Sequence, residues 1–146
     1  MNARNRVSIE EPALRDIRNH LINSYPLEGC GVLLGPDNAT ESIQVSRAIG
    51  TRNADTIRGH DRFTIDPRDL IKIERELKGE RVVGFFHSHP DAPSIPSATD
   101  LDAAQGLFDV ARTFYVYAIA SVTRDKIAEM RFWRLTDNLE RFEEIA

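Results

Sequence analysis

The chain has a single cysteine, no long apolar run and little excess of either charge. One cysteine in 146 residues cannot form a disulfide within the chain, which favours a reducing compartment. No run approaches the roughly twenty apolar residues of a membrane-spanning helix, and the basic first residues are followed by no signal-peptide core. We therefore expect a cytoplasmic protein that does not bind membranes.

The charge balance also argues against nucleic acid as a partner. A net charge of -4 leaves no basic surface of the kind that binds nucleic acid. A hydrophobic share of 41% with 29% charged residues is that of an ordinary globular protein, and the length suits one domain over residues 1–146. The sequence does not specify an oligomeric state.

Helical and extended patterns alternate along the chain. Apolar spacing and capping residues predict a first helix ending about Ser24, a second from Asp66-Pro67 to Gly79, and a third opened by Ser97. The predicted strands are Val7–Ile9, a run through Leu34, Ile43–Val45, 63–65, 82–86 and a hairpin of 114–120 with 127–135. The hairpin excludes a purely parallel sheet, so we expect a mixed α/β fold in which helices flank a mixed sheet.

Two further segments carry weaker patterns. The polar stretch 50–61, which contains His60, has no period and is predicted to be a loop. The tail 138–146 is predicted to be a short amphipathic segment that docks through Leu139 and Phe142.

The chemistry is concentrated after the apolar run 82–86. His87 and His89 follow it directly, and successive side chains of a strand alternate between faces, so both imidazoles are predicted to project from one face and Ser88 from the other. Asp100 supplies a carboxylate at the start of the next predicted helix. Two imidazoles and a carboxylate, with one position left for water, form the ligand set of a catalytic zinc site.

A purely structural reading of the same residues stays open. Ser97 and Asp100 have the spacing of a capping box, in which both side chains satisfy helix N–H groups and bind no ligand. Paired histidines at a strand end are also common on surfaces. The combination of a buried strand, a proline-rich loop and a carboxylate at a helix start favours the metal site.

The sequence His87-Ser88-His89-Pro90, followed by Ser97-Ala98-Thr99-Asp100, resembles the motif of the JAMM (MPN+) zinc metallopeptidases, a deubiquitinase-like family. That family has a glutamate upstream, and Glu28 stands in the matching position before Cys30-Gly31-Val32-Leu33-Leu34. The resemblance covers nearly the whole chain, and no motif position is missing.

The resemblance implies both a fold and a set of roles. It implies a three-layer JAMM/MPN fold, a curved sheet between helices that is similar to that of cytidine deaminases, although the chain lacks their His-x-Glu and Cys-x-x-Cys motifs. It implies one Zn²⁺ per chain held by His87, His89 and Asp100. It further implies Glu28 as the general base and acid, and Ser97 as a donor to the oxyanion.

The expected activity is hydrolysis of a peptide or isopeptide bond. The compact chain is similar to prokaryotic members of the family, which implies cleavage after the C-terminal glycines of a ubiquitin-like sulfur-carrier protein. Two alternatives remain: a zinc peptidase that acts on small peptides or cell-wall stem peptides, and a non-catalytic MPN-type protein-binding module. Cys30 is predicted to be a small buried residue, with a contribution to the site left open.

Overall fold

The computed structural model describes residues 6–37, 42–55, 59 and 65–146. His60 and Phe63 lie outside these residues. The described chain forms, in order, β1 (Val7–Ile9), α1 (Glu11–Ser24), β2 (Cys30–Pro36), β3 (Ile43–Val45), β4 (Arg47–Thr51), α2 (Pro67–Arg75), β5 (Glu80–Pro90), α3 (Ala98–Ala111), β6 (Val116–Thr123), β7 (Lys126–Leu135) and β8 (Phe142–Ile145).

The central sheet has six strands in the order β4-β2-β5-β6-β7-β8. β5 and β6 run parallel, and every other neighbouring pair is antiparallel. β1 and β3 form a separate two-stranded parallel sheet. The predicted mixed sheet is therefore confirmed, and β5 lies inside it, between β2 and β6.

Helices cover both faces of this sheet, as expected when its central strands β2, β5 and β6 are largely buried on both sides. One face packs against α1 in a core cluster that contains Ile17 and Phe86. The opposite face packs against α2, where Ile73 contacts a second cluster that includes Val32. α3 also covers this second face, beside β6. Residues of α3 line a cavity there together with Tyr117 of β6. The three-layer arrangement leaves the C-terminal end of β5 beside α3.

The helix starts follow the predicted capping chemistry. The Asp66 side chain accepts a hydrogen bond from the Arg68 N–H at the start of α2. The predicted end at Gly79 is wrong, because α2 ends at Arg75. Gly79 does adopt a positive φ of 69°, but it belongs to the turn that leads into β5. No helix of the described residues combines the length and apolar character of a membrane span.

Two segments are more ordered than predicted. Gly50 and Thr51, assigned to a loop, belong to β4 and pair with Gly31 and Cys30. Glycine is needed at position 50 because any side chain there would collide with the ring of His20. The C-terminal tail, predicted only to dock, forms β8 and adds an edge strand to β7. Both segments are too short or too polar to show a clear period in the sequence.

Candidate metal centre

β5 delivers the two histidines as its alternation predicts. His87 is paired with Cys30 of β2 and with Ile119 of β6, so the strand is fixed on both sides at this point. His87 and His89 have relative exposures of 2% and 9%. Their Nε2 atoms lie 3.2 Å apart, as expected for side chains i and i+2 that lean together from one face.

Asp100 reaches these imidazoles from the first turn of α3. Ser97 and Asp100 form the capping box: the Ser97 hydroxyl accepts from the Asp100 N–H at 3.1 Å, and the Ser97 N–H donates to Asp100 Oδ2 at 2.9 Å. The same Oδ2 lies 3.1 Å from His89 Nε2, and Oδ1 lies 3.2 Å from His87 Nε2. The capping box and the histidine cluster are therefore compatible, and the capping bonds orient the carboxylate.

The spacing of the three groups matches a zinc coordination sphere. Four ligands at about 2.0–2.1 Å from a tetrahedral ion are separated by about 3.3 Å. The two Nε2 atoms are 3.2 Å apart, and each lies 3.1–3.2 Å from a different oxygen of Asp100, so the three side chains are spaced close to this value. Buried Glu28, His87 and His89 also offer ligand atoms within 4.8 Å of one another, but Glu28 Oε1 lies 3.9 Å from His89 Nε2. Asp100 thus completes the tighter triangle.

The hydrogen bonding of His89 suits a metal ligand. The Pro93 carbonyl lies 2.8 Å from His89 Nδ1 and can only accept, so Nδ1 carries a proton. Nε2 of the same ring faces the Asp100 carboxylate and His87, where a second proton on the ring or a bound metal ion would balance the negative charge. A carbonyl on the far nitrogen is the usual partner of a metal-binding histidine.

The electrostatics agree with a charged carboxylate and an unprotonated His87. Burial lowers the pKa of His87, outweighing its hydrogen bond with Asp100. Burial also acts to lower the pKa of His89, but the bonds with Asp100 and the Pro93 carbonyl outweigh it, so this pKa is raised. Burial would raise the pKa of Asp100, yet hydrogen bonds from both imidazoles hold it well below its usual range.

Glu28 lies just before β2, with its side chain on the metal side of the sheet. It is 5% exposed, and its backbone is bonded on both sides: its N–H donates to the Gly59 carbonyl, and its carbonyl accepts from Asn53 Nδ2 at 3.1 Å. The sequence alone did not place Glu28 near the histidines. The structure brings its Oε1 to 3.9 Å from His89 Nε2.

Ser88 is the positioning residue that sequence reasoning missed. It points away from the histidines, as predicted, and is fully buried. Its hydroxyl accepts from the Gly29 N–H at 2.8 Å, and its own N–H donates to the Gly29 carbonyl at 3.0 Å. Ser88 therefore fixes the residue next to Glu28 to the strand that carries both histidines.

For the hydrolytic activity that the family resemblance implies, we expect Ser88→Ala to lower kcat about tenfold, because the buried Gly29 N–H loses its acceptor at a cost of about 1–3 kcal/mol and Glu28 loses its fixed position. Metal content and KM should change little, since the expected ligands His87, His89 and Asp100 are untouched. Ser94→Ala is the matched control: Ser94 is also fully buried, but its hydroxyl has no hydrogen-bond partner in the described chain. Equal activity of the two variants would remove Ser88 from this role.

Two other predicted residues, Ser97 and Cys30, and the nearby Trp133 have defined surroundings. The hydroxyl of Ser97 accepts the capping bond, which leaves its own proton able to donate. Cys30 is buried beside Thr51, and burial raises the pKa of its thiol to about 11, so it stays protonated and unreactive. Trp133 donates to the Ser94 carbonyl at 3.1 Å and so holds the loop between His89 and Asp100.

A protein-family profile described as prokaryotic homologs of the JAB domain matches residues 10–136. The chain is 32% identical over 98 residues to a desampylase from Haloferax volcanii, an alignment that covers 66% of this chain and 63% of that protein. It is 28% identical over 120 residues to a CysO-cysteine peptidase from Mycobacterium tuberculosis, with 81% and 75% covered. The match thus spans less than two thirds of the desampylase.

Among solved structures, a protein from Desulfitobacterium hafniense superposes with a TM-score of 0.75. The superposition covers 94% of this chain and 88% of that one, at 23% sequence identity. At this level of identity the likeness concerns the fold, and it confirms the mixed three-layer arrangement.

Proposed function

Because the chain belongs to the family of prokaryotic homologs of the JAB domain, we propose that it is a zinc-dependent peptidase or isopeptidase that cleaves after the C-terminal glycines of a ubiquitin-like sulfur carrier. The observation that carries the proposal is the buried triangle of His87, His89 and Asp100, with edges of 3.1–3.2 Å and Glu28 beside it. Relatives named as a desampylase and a CysO-cysteine peptidase support a hydrolase.

Each group has a chemical role in this proposal. His87, His89 and Asp100 hold the zinc, which when bound lowers the pKa of a coordinated water toward about 7 and polarises a carbonyl. Glu28 takes a proton at its carboxylate and passes it to the leaving nitrogen. The Ser97 hydroxyl donates to the oxygen of the scissile carbonyl while its lone pair caps α3.

A groove beside Glu28 suits the extended tail of a carrier. This cavity of about 690 Å³ runs between the end of α1, edge strand β4 and α2. Exposed Gly50 of edge strand β4 is in its wall and leaves the backbone there open to an incoming chain, and the charges of Arg52, Lys72 and Asp69 line the same groove. A tail that ends in glycines has no side chain to obstruct its approach to the metal.

The direct test is cleavage of defined carriers. Zinc-loaded protein is incubated with ubiquitin-like sulfur carriers extended beyond Gly-Gly by a peptide bond, or joined there to a lysine side chain, and the product masses are measured. The expected product is a carrier that ends in Gly-Gly, and a metal chelator should abolish its formation. A fully zinc-loaded protein that cleaves none of these substrates would contradict the proposal and favour a non-catalytic binding module.

A further inference from the structure

A second cavity borders the candidate metal centre and adjoins the groove at Glu28. This apolar recess has a volume of about 430 Å³. Its described lining comes from α3, the region of α2 and the sheet, and includes Leu70, Phe85, Ala103, Leu107, Tyr117 and Phe142. Among the described residues, Glu28 is the one that lines both the recess and the groove. The two cavities therefore meet beside the proposed metal ligands His87 and Asp100, which also line the recess.

Among the described lining residues, the ionisable side chains are Glu28, His87 and Asp100, at the metal end of the recess. Apart from Thr99, the other described lining residues are aliphatic or aromatic. The Phe85 and Tyr117 rings stack with centroids 6.0 Å apart, and Tyr117 meets Phe142 edge-on at 5.5 Å. Rings that pack on each other in this way form a wall before any ligand arrives.

The proposed substrate limits what this wall can hold. The acyl side of the scissile bond ends in glycine and has no side chain, so the first side chain near the metal belongs to the leaving residue. A charged side chain in the recess would lose its hydration without finding a partner in the apolar wall, whereas an apolar one gains about 25 cal/mol for each Å² removed from water. Size agrees, because the recess lies within the roughly 300–1,000 Å³ typical of small-ligand pockets.

We propose that the recess receives a large apolar side chain of the leaving residue, so that the enzyme prefers carriers extended beyond Gly-Gly by an aromatic or large aliphatic amino acid. This inference rests on the proposed function for its substrate. It assigns Ala103, Leu107 and Tyr117 to leaving-group specificity.

The first experiment compares kcat/KM for carriers extended by one residue after Gly-Gly: Phe, Leu, Ala or Asp. We expect Phe and Leu to exceed Ala by about tenfold to a hundredfold, and Asp to be the poorest substrate. Ala103→Phe fills the recess from an exposed position of α3, and it should reduce the Phe-to-Ala ratio at least tenfold. Val110→Phe is the control, because Val110 is 86% exposed on the same helix and does not line the recess.

A second experiment does not depend on turnover. Binding of phenylalaninamide and alaninamide to the zinc-loaded protein is measured by calorimetry, with tighter binding of phenylalaninamide expected in the wild type and in Val110→Phe but not in Ala103→Phe. If phenylalaninamide binds more tightly than alaninamide but no carrier is cleaved, the result would support the recess proposal and contradict the proposed function. Cleavage without a side-chain preference, or equal binding of the two amides, would overturn the recess proposal.

Discussion

Glu28→Gln is expected to retain zinc and to lose about a hundredfold or more in kcat. The amide has nearly the shape of the carboxylate, but it cannot take the proton that the reaction releases. Glu28 Oε1 lies 3.9 Å from His89 Nε2, farther than the 3.1–3.2 Å contacts among His87, His89 and Asp100, so the proposed ligand set should stay complete in the variant. The measurement pairs carrier cleavage with zinc content by atomic emission.

Glu10→Gln provides the matched control for this substitution. It makes the same change of charge at an exposed residue before α1 whose side chain makes no capping bond, so activity should equal that of the wild type. Unchanged turnover in Glu28→Gln would remove Glu28 from the mechanism. Loss of zinc in that variant would instead make Glu28 a ligand.

Asp100→Asn is expected to lose zinc and activity together. The amide oxygen can still accept the capping bond from the Ser97 N–H, so α3 should keep its start, but a neutral amide is a poor replacement for a carboxylate ligand. His89→Ala should behave in the same way, because it removes a second corner of the triangle. Zinc content and carrier cleavage are measured on the same samples.

Ser97→Ala separates the capping of α3 from the proposed metal binding. It removes the capping hydroxyl at a cost of about 1 kcal/mol of stability, but it leaves all three ligands in place, so zinc should be retained. Full zinc occupancy in Asp100→Asn or His89→Ala would show that the ligand assignment is wrong. Zinc loss in Ser97→Ala would show that capping is essential for the site.

The local part of the candidate site could be predicted from the sequence. Strand alternation places His87 and His89 on one face, and Ser97 and Asp100 sit at the spacing of a helix start. These inferences need only neighbouring residues. They predicted the histidine pair and the carboxylate that the structure brings together.

The contacts that depend on the tertiary fold could not be predicted in this way. The bond from Gly29 to Ser88 joins residues 59 positions apart and is set by the pairing of β2 with β5. The approach of Glu28 to His89 depends on the same pairing, and it was anticipated only through the family resemblance. The strand at Gly50 and the edge strand β8 were missed because their stability comes from neighbours rather than from their own pattern.

The most direct test of the account is anomalous diffraction at the zinc edge from crystals of the zinc-loaded protein. The account predicts a single peak about 2.0–2.2 Å from Nε2 of His87, Nε2 of His89 and an oxygen of Asp100, with both Glu28 oxygens farther away. No peak at this position, or a peak coordinated by Glu28 in place of Asp100, would contradict it.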